Sequence, residues 1–328
     1  MSCATPALIP DHRRHLAFDG FVAKADSTRA VCDLIQRLAN STTPVLLTGE
    51  SGTGKTTVAH VVHHTSYRSA HPILSFPCVT SRDEMAEVEL FGSGKGLGAA
   101  TGKKGLLEMA RGGSLLLEEI VQLPKSLQVK LVHYLRYGEF RRLGDSMFAK
   151  VDVRIVATAT VDVETAVAKG ELSEELFYRL SVGRIYLPPL RLRREDIPAL
   201  IDYFLTTLCE RDGKARPQVS EEVMHAFVDH NWPGNLRELE ARLERSVALG
   251  QSEITLESAR QSDPVTPRLP SPGIDLCRYL ETAEVSLIQQ ALERTSGNQM
   301  QAARLLHLTF RQLRYRLQRF RLTTDQRS

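Results

Sequence analysis

Eight residues constrain this chain more than any others. Gly49-Glu50-Ser51-Gly52-Thr53-Gly54-Lys55-Thr56 follows the apolar run Val45-Leu46-Leu47 and opens a helical stretch, Thr56–His64. A buried strand, a glycine-rich turn ending in Lys-Thr and a helix make up the phosphate-binding loop pattern in its structural setting. The octet alone arises by chance in about one chain in a hundred of this length, so the strand and helix around it carry the assignment. Its glycines let backbone N–H groups turn inward around a polyphosphate, and the helix start adds partial positive charge. Gly49, Glu50, Ser51, Gly52, Thr53, Gly54, Lys55, Thr56 and Thr57 are therefore read as nucleotide contacts. Lys55 would reach the β- and γ-phosphates, and the Thr56 hydroxyl would hold Mg²⁺.

The order of elements extends this reading. Strand-like Val45–Leu47, Ile73–Phe76, Ser114–Leu117 and Val151–Ala157 alternate with helical pieces such as Leu127–Arg136. That alternation implies an α/β fold with a parallel sheet covered by helices. Leu115-Leu116-Leu117 is too uniformly apolar for a half-exposed strand and reads as central. It ends in Glu118-Glu119, where a P-loop ATPase keeps a metal-orienting acid and a water-activating acid. Beyond Asp196 the pattern is helical: Ile197–Glu210, Glu221–Val228 and Asn235–Leu249 carry apolar residues at three- and four-residue spacing. Four prolines between Asp263 and Gly273 mark an extended linker. The expected organisation is a tail (1–20), an α/β nucleotide-binding part (21–190), a helical lid (191–262), the linker (263–274) and a small all-α helix-turn-helix domain (275–328).

The chain carries a net charge of only +3, yet from Met300 to Ser328 it holds seven arginines and a single acid, Asp325. A basic end on a nearly neutral chain suggests a polyanion partner. Gly297–Leu306 reads as one helix, His307-Leu308 as a turn, and Thr309 as the cap of a second helix, Phe310–Phe320. Phe310, Leu313, Leu317 and Phe320 are expected to face inward, leaving the arginines outside. This is a helix-turn-helix with a basic second helix, which points to DNA. The candidate DNA contacts are Arg304, Thr309, Arg311, Gln312, Arg314, Tyr315, Arg316 and Arg319. Of these, Arg311, Gln312 and Tyr315 lie nearest the helix start and are favoured for base edges. Val285, Ile288 and Leu292 form an apolar stripe that suits either the domain's core or a seam between two copies.

Other classes are excluded or made remote. The five cysteines (3, 32, 78, 209 and 277) have no paired spacing, which argues against a disulfide frame or zinc site and for a reducing compartment. No apolar run is long enough to cross a membrane, and Met1–Arg14 lacks the apolar core of a secretory signal. The expected location is the cytoplasm, with no membrane partner.

Five further motifs occur in order: Glu89-Leu90-Phe91-Gly92, Gly138-Glu139-Phe140-Arg141-Arg142-Leu143-Gly144, Phe177-Tyr178-Arg179-Leu180, Leu187-Pro188-Pro189-Leu190-Arg191 and Trp232-Pro233-Gly234-Asn235-Leu236-Arg237-Glu238-Leu239. From about Phe21 to Leu249 the chain resembles the AAA+ domain of bacterial enhancer-binding proteins, the activators of sigma-54 RNA polymerase. Its end, about Glu281 to Leu322, resembles their Fis-type DNA-binding domain. The resemblance implies an ATP-driven homo-oligomer, dimer to hexamer, alone or mixed with a paralogue, with nucleotide between subunits. It implies Glu119 as catalytic acid, Arg179 as an arginine finger reaching a neighbour's γ-phosphate, Arg237 as a lid sensor of that phosphate and Glu118 beside Thr56 as a metal ligand. Little sequence precedes Phe21, so control is expected from expression, ligands or a separate protein rather than an attached receiver domain.

Five positions depart from the family pattern. Glu118-Glu119 stands where the family has Asp-Glu, which lengthens one metal-side arm by a methylene. Ser173 takes the place of a first arginine finger. Pro77 stands where a polar residue, usually Asn, couples the catalytic Glu to the nucleotide. Thr160 replaces an Asn that senses γ-phosphate and keeps a hydroxyl. In the polymerase-contact loop the overlay places Ala99, Ala100, Thr101 and Gly102 on the family's contact motif, with Ala100 where its phenylalanine belongs. Two functions stay open on these grounds. One is a DNA-binding activator that hydrolyses ATP and acts on sigma-54 polymerase. The other is a nucleotide-gated DNA-binding regulator with weak or no ATPase. A metabolic P-loop kinase leaves the lid motif and the arginine helix without a purpose.

Overall fold

A computed structural model describes residues 16–18, 20–79, 83–94, 102–160, 162–254, 276–295, 298–306 and 308–320. The loop positions Ala99, Ala100 and Thr101 and the proline linker lie outside these residues. The chain divides into two compact units, split between Gln261 and Ser262.

The first unit is built on five parallel strands: β1 (Val45–Thr48), β2 (Ile73–Pro77), β3 (Ser114–Glu118), β4 (Arg154–Ala159) and β5 (Gly183–Tyr186), in the order β5-β1-β4-β3-β2. Leu115, Leu116 and Leu117 are fully buried on an inner strand, as their composition implies. Alternate residues face opposite sides of a strand. Thus Leu46, Leu115, Leu117, Ile155 and Ala157 enter one core, while Val45, Leu47, Leu116, Val156 and Ile185 enter another on the opposite face. Helices α1 (Asp26–Ala39) and α2 (Lys55–His64) help cover the second face, and α3 (Asp83–Phe91) and α4 (Lys125–Tyr137) the first.

One strand begins later than its sequence suggests. Val151 and Val153 are buried and apolar, but β4 starts only at Arg154. The Tyr134 hydroxyl donates to the Val153 carbonyl (3.0 Å) and accepts from the Val153 N–H (3.1 Å). A side chain thus takes the hydrogen bonds a ladder would have made. Within the stretch read as tail, Leu16–Phe18 pairs antiparallel with Phe21–Val22.

The lid follows β5. Helix α5 (Glu174–Leu180) precedes that strand, and α6 (Ile197–Asp212), α7 (Glu221–Asp229) and α8 (Asn235–Ala248) follow it. These last three pack around Trp232, which is fully buried and donates its indole N–H to the Phe227 carbonyl at 2.8 Å. Val22 and Leu190 join the same core, so the lid is continuous with the α/β part.

The second unit contains α9 (Leu276–Arg294), α10 (Gln299–Leu305) and α11 (Phe310–Arg319). Asn298 caps α10 through its side chain. Thr309 and Gln312 form a capping box at α11, two orphan N–H groups being satisfied reciprocally. Ile288, Ala291, Ala302, Ala303, Leu313 and Leu317 make the core. Ile288 is therefore a core residue, and Leu292 packs against that core in part. Phe310 departs from expectation: it is 45% exposed. It is the first residue of its helix, with no preceding turn beside it to extend the apolar stripe, whereas Leu313 and Leu317 sit squarely on it.

Candidate nucleotide site and DNA-facing helix

The glycine octet bridges β1 and the start of α2, and Gly54 adopts a left-handed conformation (φ 98°) at the helix entry. Lys55 is buried, and its ammonium donates to the carbonyls of Gly49 (2.9 Å) and Glu50 (3.0 Å) and to the Thr160 hydroxyl (2.9 Å). Burial pushes the Lys55 pKa below the usual lysine value; Glu119 opposes the shift and Arg237 adds to it. The lysine thus holds a costly charge in the cavity, which an arriving anion would stabilise.

Opposite the lysine, Glu119 lies just beyond the end of β3 in a left-handed conformation (φ 56°). Such a backbone is uncommon for a residue other than glycine and costs about 1 kcal/mol or more; it concentrates at functional sites. Three bonds hold it. Its N–H donates to the Thr158 hydroxyl at 3.1 Å. The Thr160 hydroxyl donates to Glu119 Oε1 at 2.5 Å and the Thr160 N–H to Oε2 at 3.0 Å. Thr160 therefore touches both the lysine and the carboxylate. Pro77 ends β2 opposite Glu118 and has no N–H to offer.

A cavity of about 810 Å³ opens over this cluster. Ser51, Gly52, Gly54, Lys55, Thr56 and Thr57 line it, as do Glu118, Glu119, Thr160 and Arg237. Gly49, Glu50 and Thr53 are not on its wall. Gly49 packs on Leu187, the Glu50 carboxylate takes two bonds from Arg191 (2.6 and 2.8 Å), and the Thr53 hydroxyl donates to the Glu50 carbonyl. The far wall is apolar and comes from separated segments: Phe21 and Val22, then Leu200, Tyr203, Phe204 and Leu208, then Leu236. This wall suits a flat ring, and sequence reading missed it; only the lid brings its parts together. Arg193 also lines the cavity. It is buried, donates to the Thr53 carbonyl at 2.7 Å, and burial lowers its pKa.

Arg179 is elsewhere. It sits on α5, paired with Glu175 one helical turn away (3.1 Å), and does not line the cavity of its own chain. Ser173 is the N-cap residue of the same helix and makes no side-chain cap bond. Gly102, the one described residue of the four assigned to the polymerase-contact loop, is left-handed (φ 70°).

In the helix-turn-helix unit, Arg316 pairs with Glu284, and Arg319 with Glu281 at 2.6 Å. The Gln312 amide oxygen accepts from the Thr309 N–H at 2.9 Å, so the cap already uses part of a side chain favoured for base contact. Tyr315 is 64% exposed. Arg304, Arg311 and Arg314 form no ion pair among the described residues.

A five-stranded parallel sheet of this order, a glycine loop ending in Lys-Thr, a strand-end glutamate and a helical lid over the cavity together define an AAA+ nucleotide-binding module. Comparison with known proteins agrees. Residues 21–186 match the sigma-54 interaction domain, 191–261 the AAA+ ATPase lid domain, and 279–320 the Fis family of bacterial regulatory proteins. The chain belongs to the sigma-54 interaction domain family. It is 36% identical over 314 residues to the phenol regulator MopR of Acinetobacter guillouiae, covering 92% of this chain and 56% of that protein. It is 37% identical over 312 residues to the Nif-specific regulatory protein of Klebsiella pneumoniae, covering 93% and 59%. The crystal structure of NtrX from Brucella abortus in complex with ATP superposes with a TM-score of 0.68 at 30% identity, covering 92% of this chain and 69% of that one. The chain thus spans less than two-thirds of the length of the curated relatives it matches first. Among the described residues, no helix is long and apolar enough to cross a membrane.

Proposed function

We propose that this chain is a DNA-binding transcriptional regulator that binds Mg·ATP between its P-loop and lid, assembles into an oligomer and acts on sigma-54 RNA polymerase in the cytoplasm. The observation that carries this reading is the cluster of Lys55, Thr160 and Glu119 lining one cavity. Lys55 would exchange its carbonyl partners for phosphate oxygens. Thr56 and Glu118 both face the cavity and would hold Mg²⁺. A hydroxyl and one carboxylate suit an ion that keeps most of its shell as water and phosphate oxygen. Such an ion would supply positive charge against the charge that develops on the phosphates. Glu119 would orient a water and accept its proton, Arg237 would contact the phosphates from the lid, and Arg179 would reach a neighbouring subunit's site. Transcription in vitro with sigma-54 polymerase tests this reading: ATP-dependent product supports it, and no product with or without ATP opposes it.

A second reading has its own observation. Pro77 offers no donor at the end of β2, and the Glu119 carboxylate takes its hydrogen bonds from Thr160. In that reading nucleotide gates DNA binding, hydrolysis is slow, and the unmodified chain does not activate sigma-54 polymerase by itself.

The DNA end makes a separable prediction. Arg311→Ala and Arg314→Ala should each weaken promoter binding by about 1–3 kcal/mol. Arg316→Ala and Arg319→Ala should weaken it less, because Glu284 and Glu281 already hold those side chains, and losing these exposed pairs should cost stability no more than about 1 kcal/mol. Fluorescence anisotropy across a salt series, with thermal melts of the same variants, separates the two effects.

A further inference from the structure

Asn235 does not line the cavity, yet its single amide joins three segments. It is fully buried and left-handed (φ 54°), at the first position of α8. Its Oδ1 accepts from the Leu190 N–H at 2.7 Å, on the connection between sheet and lid. Its Nδ2 donates to the Ser51 carbonyl at 3.0 Å and to Glu50 Oε2 at 3.3 Å, both in the P-loop. The partners fix the orientation of the amide: an N–H can only donate, and a carbonyl or carboxylate only accepts. Neighbouring residues tighten the same seam. The Leu236 N–H donates to the Gly52 carbonyl at 2.8 Å, and a Cβ on Gly52 would come within 2.3 Å of the Gly234 carbonyl oxygen. Gly52 is thus required for the lid to approach as much as for any ligand.

We infer that Asn235 is a positioning residue that makes the lid follow the state of the P-loop. This rests on the nucleotide reading proposed above. The amide fixes the Leu190 connection, the start of α8 and the Ser51 carbonyl to one another. A change in the loop when phosphates arrive therefore moves α8, and with it Arg237 and the Leu236 part of the apolar wall. The strain of a non-glycine residue in left-handed conformation is consistent with a position retained for its side chain, since asparagine tolerates that backbone better than most residues.

The test uses Asn235→Asp in the full chain. Aspartate is isosteric, tolerates the same backbone and keeps the acceptor for Leu190. It replaces the donor with an oxygen facing the Ser51 carbonyl and the Glu50 carboxylate. Amide hydrogen exchange of residues 235–248 is measured with and without ADP or a non-hydrolysable ATP analogue, beside a nucleotide titration. In the wild type, nucleotide should slow exchange in α8. In Asn235→Asp nucleotide should still bind, about tenfold more weakly, and the nucleotide-dependent slowing should be lost. Adding Glu50→Gln returns a donor opposite the introduced carboxylate and should recover part of both. Should Asn235→Asp fail to fold, Asn235→Gly keeps the positive φ without strain, removes both arms, and gives the same readings.

Wild-type slowing retained in the variant would overturn the inference. So would exchange that speeds up equally with and without nucleotide, because that is the signature of a purely structural residue. If the wild type itself binds no nucleotide, the proposed function falls and the inference falls with it, a result visible before any variant is made.

Discussion

Arg179→Ala is expected to lower ATP turnover of the assembled protein by about a thousandfold or more, while the nucleotide affinity of the dilute chain stays the same. Both halves follow from where the residue sits. Arg179 does not line its own chain's cavity and, among the described residues, its ion pair is the exposed one with Glu175, so it adds nothing to binding there. Such a pair is worth at most a few tenths of a kcal/mol, and Arg179 can leave it readily to reach a neighbouring site. The decisive version mixes two defective chains. Lys55→Ala disables the site of one chain and leaves its Arg179 intact; Arg179→Ala does the reverse. A mixture should recover a fraction of wild-type turnover that neither variant shows alone, read as phosphate release against mixing ratio. No recovery at any ratio would mean that Arg179 does not act across a subunit boundary.

Glu119→Gln should reduce turnover by about a hundredfold to ten-thousandfold, the usual worth of a positioned general base, with ATP affinity changed little. Glutamine keeps the size of the side chain and an oxygen to accept from Thr160, so the local backbone is retained. Its amide cannot take a proton from water. Single-turnover phosphate release and a nucleotide titration on the same preparation separate the two quantities. Equal turnover in Glu119→Gln and wild type would remove Glu119 from the chemistry and favour the weak-ATPase reading.

The P-loop, the inner strand and the capped basic helix are legible from sequence because each is local. Leu115-Leu116-Leu117 can bury all its side chains only on an inner strand, and it does so. Thr309 and Gln312 form their capping box within four consecutive residues. What is not legible depends on distant segments meeting. The apolar wall of the cavity draws on Phe21, Tyr203 and Leu236, which only the packing of the lid brings together. In the sequence Asn235 is one residue of a turn motif; the reach of its amide to Leu190 and Ser51 exists only in the fold. The late start of β4 likewise depends on a hydroxyl from Tyr134 on another element. The exposed Phe310 shows that spacing places a residue on a helix face but does not say whether a neighbour covers it.

The most direct measurement is a titration of the purified chain with ATP in the presence of magnesium, beside Lys55→Ala. Lys55 is a buried cation lining the cavity, with two carbonyl partners that phosphate oxygens would replace. Saturable binding in the wild type, weakened on the order of a hundredfold in the variant, is the predicted result. A wild-type chain with no measurable affinity for adenine nucleotides, or one that binds them as well without Lys55, would contradict the account.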